Sequence, residues 1–562
     1  MKKITSLLKL NKDLICIMLI IFLSIFLILP FLRTGFFPTH DGEWAVVRLA
    51  DMYRELKDFQ IPPRYSSNLN FGYGYPLFNF AYPFPYYLGI IFYLLGLGFV
   101  GSIKSLFILS VSLSGISMFF LGKRIWENLW AGFSCAVLYM YFPYRMVDLY
   151  VRGSLGESLA FILFPLIILF IYKLFNGEHE KLSVVMLSCL TAFLIMTHNI
   201  MTVLFFPIIF LFLLIGLGVR KYHASSRIIC AIFGGMCIAS FFWIPALAEK
   251  NNISLSVIPI ADRNLYFVNP RDLLVSPWGY GTPTEADSFT YQLGLAHIIG
   301  TLITLGAILT GLRKKKNSYF FLGLYMLIFI ILYLFMLFKP SNIIWSNLPL
   351  LKEINYPWTI IAPLGFLMSI LIGYMSRFRR AKAVICFLII VAIINCLPYA
   401  QAKEHVNRGD SFYLTNDATT TSSDELMPLW VKEKPTHRYS EKIEILSGEG
   451  EIREVLIKSN SISFSTNLNR DERIRINAIY YPGWKAIVDS HKKTIFYDNS
   501  GGFMEIEVPR QSKNVKLILT ETPLRAFADV LSLFTVILIV IYSIYNIKSN
   551  LVTARINKNE NN

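Results

Sequence analysis

Long apolar blocks alternate with short polar ones through the first 400 residues, and most blocks have the length needed to cross a bilayer as a helix. The pattern predicts spans over 14–32, 104–121, 129–144, 158–175, 183–197, 200–219, 226–247, 291–312, 319–338, 357–376 and 381–400. A twelfth follows at 527–546. One further apolar run, 84–100, begins within the string PFPYY and carries Gly89, Gly96 and Gly98. From about 441 to 520 the period changes from blocks to alternation. EKIEILSG, SISFSTNL, RIRINAIYY, KAIVDS, KTIFYDN, FMEIEVP and NVKLILTE alternate apolar and polar residues between turn-forming ones. Short alternating strands of this kind predict a β-sandwich.

The expected fold class is therefore a polytopic α-helical membrane protein of about 12 spans with a C-terminal β-sandwich-like domain and a final span. The expected division is a transmembrane domain over 1–400 with a long first loop at 33–103, and a linker or irregular segment at 401–440. The β-domain at 441–525, the last helix at 527–546 and a tail at 547–562 complete it.

Composition supports the class. Hydrophobic residues are 54% and aromatics 15% of the chain, and the mean hydropathy is +0.51, too apolar for an ordinary soluble enzyme. The basic start MKKITSLLKLNKDLIC leads into a long run with no small-residue cleavage site, so a retained first helix is expected. The seven cysteines fall in or at the ends of apolar runs, without a CxxC pair, and read as packing residues.

The net charge of +16 is a topology signal. If 84–100 does not cross, the basic segments all fall on one side: the N-terminus, GKRIW, FNGEHEK, RKYHASSR, RKKK at 313–316, RFRRAK at 377–382, and a tail with Lys548, Arg555 and Lys558. The positive-inside rule then places both termini in the cytoplasm and makes 84–100 interfacial or re-entrant. The outer face receives residues 33–103, 144–157, the His198–Asn199 corner, 248–290, 339–356 and 401–525. Basic charge used for orientation and anionic lipid leaves no reason to invoke nucleic acid. Neither a Walker loop nor a GxGxxG in a Rossmann context is present, so no nucleotide site is expected.

Candidate chemistry collects in the outer loops. HDGEW places His40, Asp41 and Glu43 just after the first span. Asp41 suits the N-cap of a helix from Gly42 to about Lys57, and Glu43 its first turn, so capping competes with catalysis as the reason for both. Arg64, Tyr73, Asn79 and Tyr82 lie in the segment that follows, where aromatic and amide side chains suit sugar faces and hydroxyls. An aromatic interface belt is the alternative, above all for Tyr86 and Tyr87. The second outer loop carries Arg145, Asp148, Arg152 and Glu157. Arginines there suit phosphate, or snorkel for structural reasons. Glu157 suits a metal ligand, an arginine partner or a helix start. His198 and Asn199 mark an outward helix end. Arg271, Asp272, Trp278 and Tyr280 are candidates for an acceptor side, against ordinary loop packing. Trp484 in YYPGW suits glycan binding or sandwich packing.

The order of these features resembles the GT-C superfamily of polyprenyl-phosphate-dependent glycosyltransferases. THDGEW, NLNFGYGYPLFNFAYPFPYY, PYRMVDLYVRGSLGE, MTHNI, NYPW, YYPGWKAIVD and TPLRAFADVLSL resemble the bacterial YfhO-like family, which overlaps one labelled 6-pyruvoyl-tetrahydropterin synthase-related membrane protein. The resemblance implies a sugar transferase open to the outer face, with a polyprenyl-phosphate-linked sugar as donor. The acceptor is a surface glycan, a lipid-linked polymer or a protein, and single displacement implies inversion. It implies a catalytic base or metal ligand at Asp41, with Glu43 as the second candidate, and a second-loop acid at Glu157. A divalent metal (Mg or Mn) is an open cofactor, with Asp41, Glu43 and Glu157 as candidate ligands. Where related sequences read Pro-Trp-Arg, this chain has Thr359, so donor phosphate falls to Arg145, Arg152 or Arg271. The alternatives are a transporter or flippase for a lipid-linked glycan, and a non-catalytic assembly factor for surface polymers. Against transport stand the lack of an internal repeat and of mid-helix ionisable rows.

Overall fold

The computed structural model describes residues 2–280, 289–311, 318–378 and 380–560. Among them, nine helices are long and apolar enough to cross a membrane, and the pair Tyr222–Ile238 and Ser240–Ala248, bent by 71°, makes a tenth as a broken span. Two shorter apolar helices, Leu129–Met140 and Leu295–Thr310, fall where the remaining two spans were expected. The expected span over 129–144 ends early because Pro143 opens a separate short helix, Pro143–Val147. Phe84–Trp126 forms one 43-residue apolar helical stretch. Its dihedrals break at Gly96 (φ +91°), and Gly98 (φ +66°) is also left-handed, conformations that glycine adopts without a Cβ clash. The last helix runs from Pro523 to Glu560.

The loops sort to two ends of the bundle. At one end Lys123 pairs with Asp13, Arg124 with Glu178 and Arg227 with Glu180. Arg377 lies over the Tyr319 ring there. The expected basic run 313–316 and Arg379 lie outside the described residues. At the other end the remaining loops interlock. Phe36 bridges to Val406 and Ile253 to Pro428, Lys250 pairs with Glu353, and Arg263 donates to Ile354 O at 2.7 Å.

The β-domain has two antiparallel sheets. The first orders β1 (Ile443–Ile445), β4 (Glu472–Ile479) and β7 (Phe503–Val508) as β1-β4-β7. The second orders β2 (Gly450–Lys458), β3 (Ser461–Leu468), β8 (Asn514–Leu519), β5 (Trp484–Val488) and β6 (His491–Lys493) as β2-β3-β8-β5-β6. Alternation in β3 buries Ile462, Phe464 and Leu468, and β4 buries Ile474 and Ile476. These faces join one apolar core, as sandwich packing requires.

Glu249 fastens the domain to the bundle. Its carboxylate accepts from Arg525 Nε and Nη2 at 2.8 and 2.6 Å, from Tyr481 Oη at 3.0 Å, and from Asn79 Nδ2 at 3.0 Å. Thus the first loop, the β-domain and the last helix meet on one buried carboxylate. Arg64 adds a second tie, to Asp529 at 2.7 Å and Glu521 at 3.3 Å. Breaking a buried pair strands the remaining charge, at a cost of about 3–5 kcal/mol. Arg525→Met is therefore expected to lower thermal stability in detergent sharply, and Glu249→Gln added to it to restore part of the loss.

Candidate active site

The first loop rests on the second through two backbone hydrogen bonds and the Phe37–Tyr150 ring contact at 5.6 Å. His40 N donates to Val151 O at 2.9 Å and Asp41 N to Arg152 O at 2.7 Å. Two glycines permit this approach. Gly153 is left-handed at φ +64°, and a Cβ there would lie 2.8 Å from Gly42 N. Gly156, in helical backbone, matters for space alone: a Cβ there would clash with Thr197 O and lie 2.8 Å from the Tyr82 ring.

Above this contact starts the helix Gly42–Lys57. Thr39 Oγ1, at 2.9 Å, accepts from Gly42 N, and Asp41 caps nothing with its side chain. The half-buried Asp41 carboxylate has no ion pair or side-chain hydrogen bond among the described residues. Electrostatically it acts on Tyr82, Tyr86, Tyr356 and Arg152. Glu43 is turned to the linker, where it accepts from Arg408 at 3.1 Å.

Arg152 is fixed from below. It pairs with the fully buried Glu157, donates to Tyr144 Oη at 3.1 Å, and lies 3.8 Å from Asp148. Its guanidinium lies 4.8 Å from the Trp358 ring centroid. Glu157 also accepts from Tyr144 Oη at 2.8 Å. His198 stacks on Tyr82 at 5.3 Å and accepts from Met201 N at 3.3 Å, so it caps the next helix. Burial, and then Arg152, lower His198 to about 3, which keeps the ring neutral. Burial raises the Tyr82 hydroxyl, and burial with Tyr266 and Asp41 pushes Tyr356 up to about 12, so both are neutral hydroxyls at physiological pH.

The other sequence candidates are placed elsewhere or otherwise engaged. Arg145 is fully buried, donating to Ser110 Oγ at 2.7 Å and Ser158 O at 3.1 Å beneath the Phe161 ring. Arg64 serves the last helix and Asn79 serves Glu249. Tyr73 stacks on Phe503 of the β-domain at 4.7 Å. His40 is exposed, 3.2 Å from Tyr280 O. Asn199 and Arg271 are exposed, and no described contact joins either to Asp41 or Arg152.

Arg48 is the residue the sequence reading passed over. It follows Asp41 by seven positions, two helical turns, which puts both on one face about 10 Å apart. Half-buried, it donates to Thr420 Oγ1 at 3.1 Å and to Thr420 O, forms no ion pair among the described residues, and acts electrostatically on Tyr75, Tyr82 and Tyr86. The i, i+7 spacing of Asp41 and Arg48 was the available signal.

A metal is poorly served here. Arg152 and Tyr144 occupy Glu157, Arg408 occupies Glu43, and no group of three His, Cys, Asp or Glu among the described residues can hold an ion.

Residues 78–402 match the family described as 6-pyruvoyl-tetrahydropterin synthase related domain, membrane protein. The chain belongs to that family. A relative in Lactococcus lactis subsp. cremoris, an uncharacterized protein, is 24% identical over 240 residues, 41% of this chain and 39% of its own. Among solved structures, the mycobacterial arabinofuranosyltransferase AftD is 15% identical, with a TM-score of 0.42, over 69% of this chain and 26% of its own. The Archaeoglobus fulgidus oligosaccharyltransferase in its apo form is 12% identical, with a TM-score of 0.45, over 73% of this chain and 60% of its own. The chain thus spans about two fifths of the curated relative and at most three fifths of these structures.

The two-loop contact makes a direct prediction. Gly153→Ala forces a strained backbone and a clash with Thr39 and Gly42, at a cost of about 1–3 kcal/mol. It is expected to lower the melting temperature and speed tryptic cutting within residues 33–60. Gly218→Ala, which meets nothing within 4 Å, is the control that changes neither.

Proposed function

We propose that this chain is a GT-C-type membrane glycosyltransferase that moves a sugar from a polyprenyl-phosphate donor to a surface glycan, lipid-linked polymer or protein on the outer face. One observation carries the reading: a half-buried Asp41 carboxylate with no ion pair among the described residues, in electrostatic reach of Arg152 and of the hydroxyls of Tyr82, Tyr86 and Tyr356, with Arg48 on the same helix face. A carboxylate kept free of ion pairs beside fixed cations suits a general base working next to a bound anion.

In this mechanism the donor enters from the bilayer with its phosphate toward Arg48 and Arg152. Asp41 takes the proton of an acceptor hydroxyl as that oxygen attacks the anomeric carbon. The new glycosidic bond forms while the bond from that carbon to the phosphate oxygen breaks. The electron pair leaves on the polyprenyl phosphate, where the two guanidinium groups stabilise the added charge in a poorly hydrated site. Arg152 can do this because Glu157, Tyr144 and Trp358 hold it still. One displacement inverts the anomeric centre. No step is assigned to a metal.

The test is transfer from polyprenyl-phosphate sugars by the purified protein in lipid. Asp41→Asn is expected to slow transfer by about 10²–10⁴-fold, the usual contribution of a general base, with donor affinity kept. Arg48→Gln is expected to weaken donor binding instead. Unaltered transfer by Asp41→Asn, or flipping of the donor with no transfer by wild type, overturns the reading.

A further inference from the structure

The far end of the helix Gly42–Lys57 meets a pocket separate from the residues around Asp41. There the first loop, the end of the linker and the β-domain line a cavity of about 230 Å³. Arg54 lies in its wall, 13 residues along the helix from Asp41, hence about 20 Å away at 1.5 Å per residue.

Four cations line this cavity: Arg54, Arg438, Lys442 and Lys458. Their neutralisation is incomplete. Arg54 donates to the carbonyl of Leu414. Lys442 donates to two carbonyls, Gly72 O at 2.7 Å and Asn477 O at 2.8 Å. Lys458 has no side-chain partner among the described residues. Arg438 alone reaches a carboxylate, Asp417, at 3.2 Å. Asp58 is the one carboxylate among the lining residues, and its Oδ2 accepts from Ser459 N at 2.6 Å. Behind the wall, burial and the neighbouring Asp51 raise Glu55, and burial raises Asp51 to about 6 against the pull of Arg54. Burial, and then Arg438, lower Lys442 to about 7, the response of an ammonium that lacks a counter-ion.

The cavity is also built for a ring. Trp484 lines it, is 5% exposed, and its buried Nε1–H has no acceptor among the described residues. A buried donor left unpaired costs free energy that a ligand hydroxyl would recover. Tyr439 presents its ring beneath Lys442 at 4.8 Å. Cations, aromatic faces and an unpaired indole donor together match a sugar that bears an oxyanion. The volume is below that of drug-sized pockets, about 300–1,000 Å³, and holds one such unit rather than a chain.

We propose that this cavity binds a single anionic saccharide unit, phosphorylated or carboxylated, clamped between the β-domain and the first-loop helix. The site does not depend on the transfer reaction. An anion beside Lys442 favours its charged form, so binding above neutral pH takes up a proton.

Isothermal titration of the full-length protein in detergent tests this, with glucose 6-phosphate, glucuronate, glucose and inorganic phosphate as probes. Saturable binding of at least one anionic sugar is expected, with glucose and inorganic phosphate each about tenfold weaker or more. Lys458→Gln and Arg438→Gln are each expected to weaken it about tenfold, and Trp484→Phe to narrow the gap between sugar phosphate and inorganic phosphate. At pH 8 the binding heat is expected to vary with the ionisation enthalpy of the buffer. Asp41→Asn keeps full binding if the cavity is a separate site, whatever becomes of transfer. The proposal is overturned by no saturable heat with either anionic sugar in protein that melts cooperatively. It is equally overturned by unchanged binding in the Lys458→Gln/Arg438→Gln double variant, or by loss of binding in Asp41→Asn.

Discussion

The peptide N–H of Asp41 donates to the carbonyl of Arg152, and the whole candidate site depends on that hydrogen bond. It ties a carboxylate to a guanidinium without letting the two side chains pair. A side-chain salt bridge would bring the same residues together but would neutralise both. Backbone contact, made possible where Gly153 approaches Gly42, fixes their separation and leaves the Asp41 carboxylate free.

The same economy of charge runs through the interlocked end of the molecule. Three largely buried arginines there are each met by a partner. Glu157 holds Arg152, Asp148 and Ser110 hold Arg145, and Glu249 holds Arg525. Because removing a charge from water costs several kcal/mol unless it is compensated, these pairings determine which segments meet. Glu249 joins three of them at once, so the β-domain is not a passenger on the final helix: its Tyr481 is part of the joint.

The helix Gly42–Lys57 then acts as a spacer. Its start carries Asp41 and Arg48 over the bundle, and its end carries Arg54 and Asp58 against the β-domain. Both ends lie on residues that the linker also holds, Thr420 for Arg48 and Leu414 for Arg54. The linker 401–440 has little regular structure beyond Asp410–Thr415, and its contribution is to satisfy these cations with carbonyl and hydroxyl oxygens.

Local pattern determined much of this protein. Apolar blocks of membrane length and the alternation from 441 onward are properties of neighbouring residues, so the sequence alone predicts most of the long apolar helices and the strands. Which arginine lies beside Asp41 is a different kind of property. Arg145 and Arg152 stand in one loop and look equivalent as sequence, yet one is fully buried in the bundle and the other lies beside Asp41. Arg64 looks like a cleft residue and is claimed by Asp529, 465 positions away. Arg48 looks like the polar face of an amphipathic helix and becomes a cation of the site. These outcomes follow from helix rotation and from which distant carboxylate or carbonyl reaches each side chain first, and only the packed tertiary structure sets those.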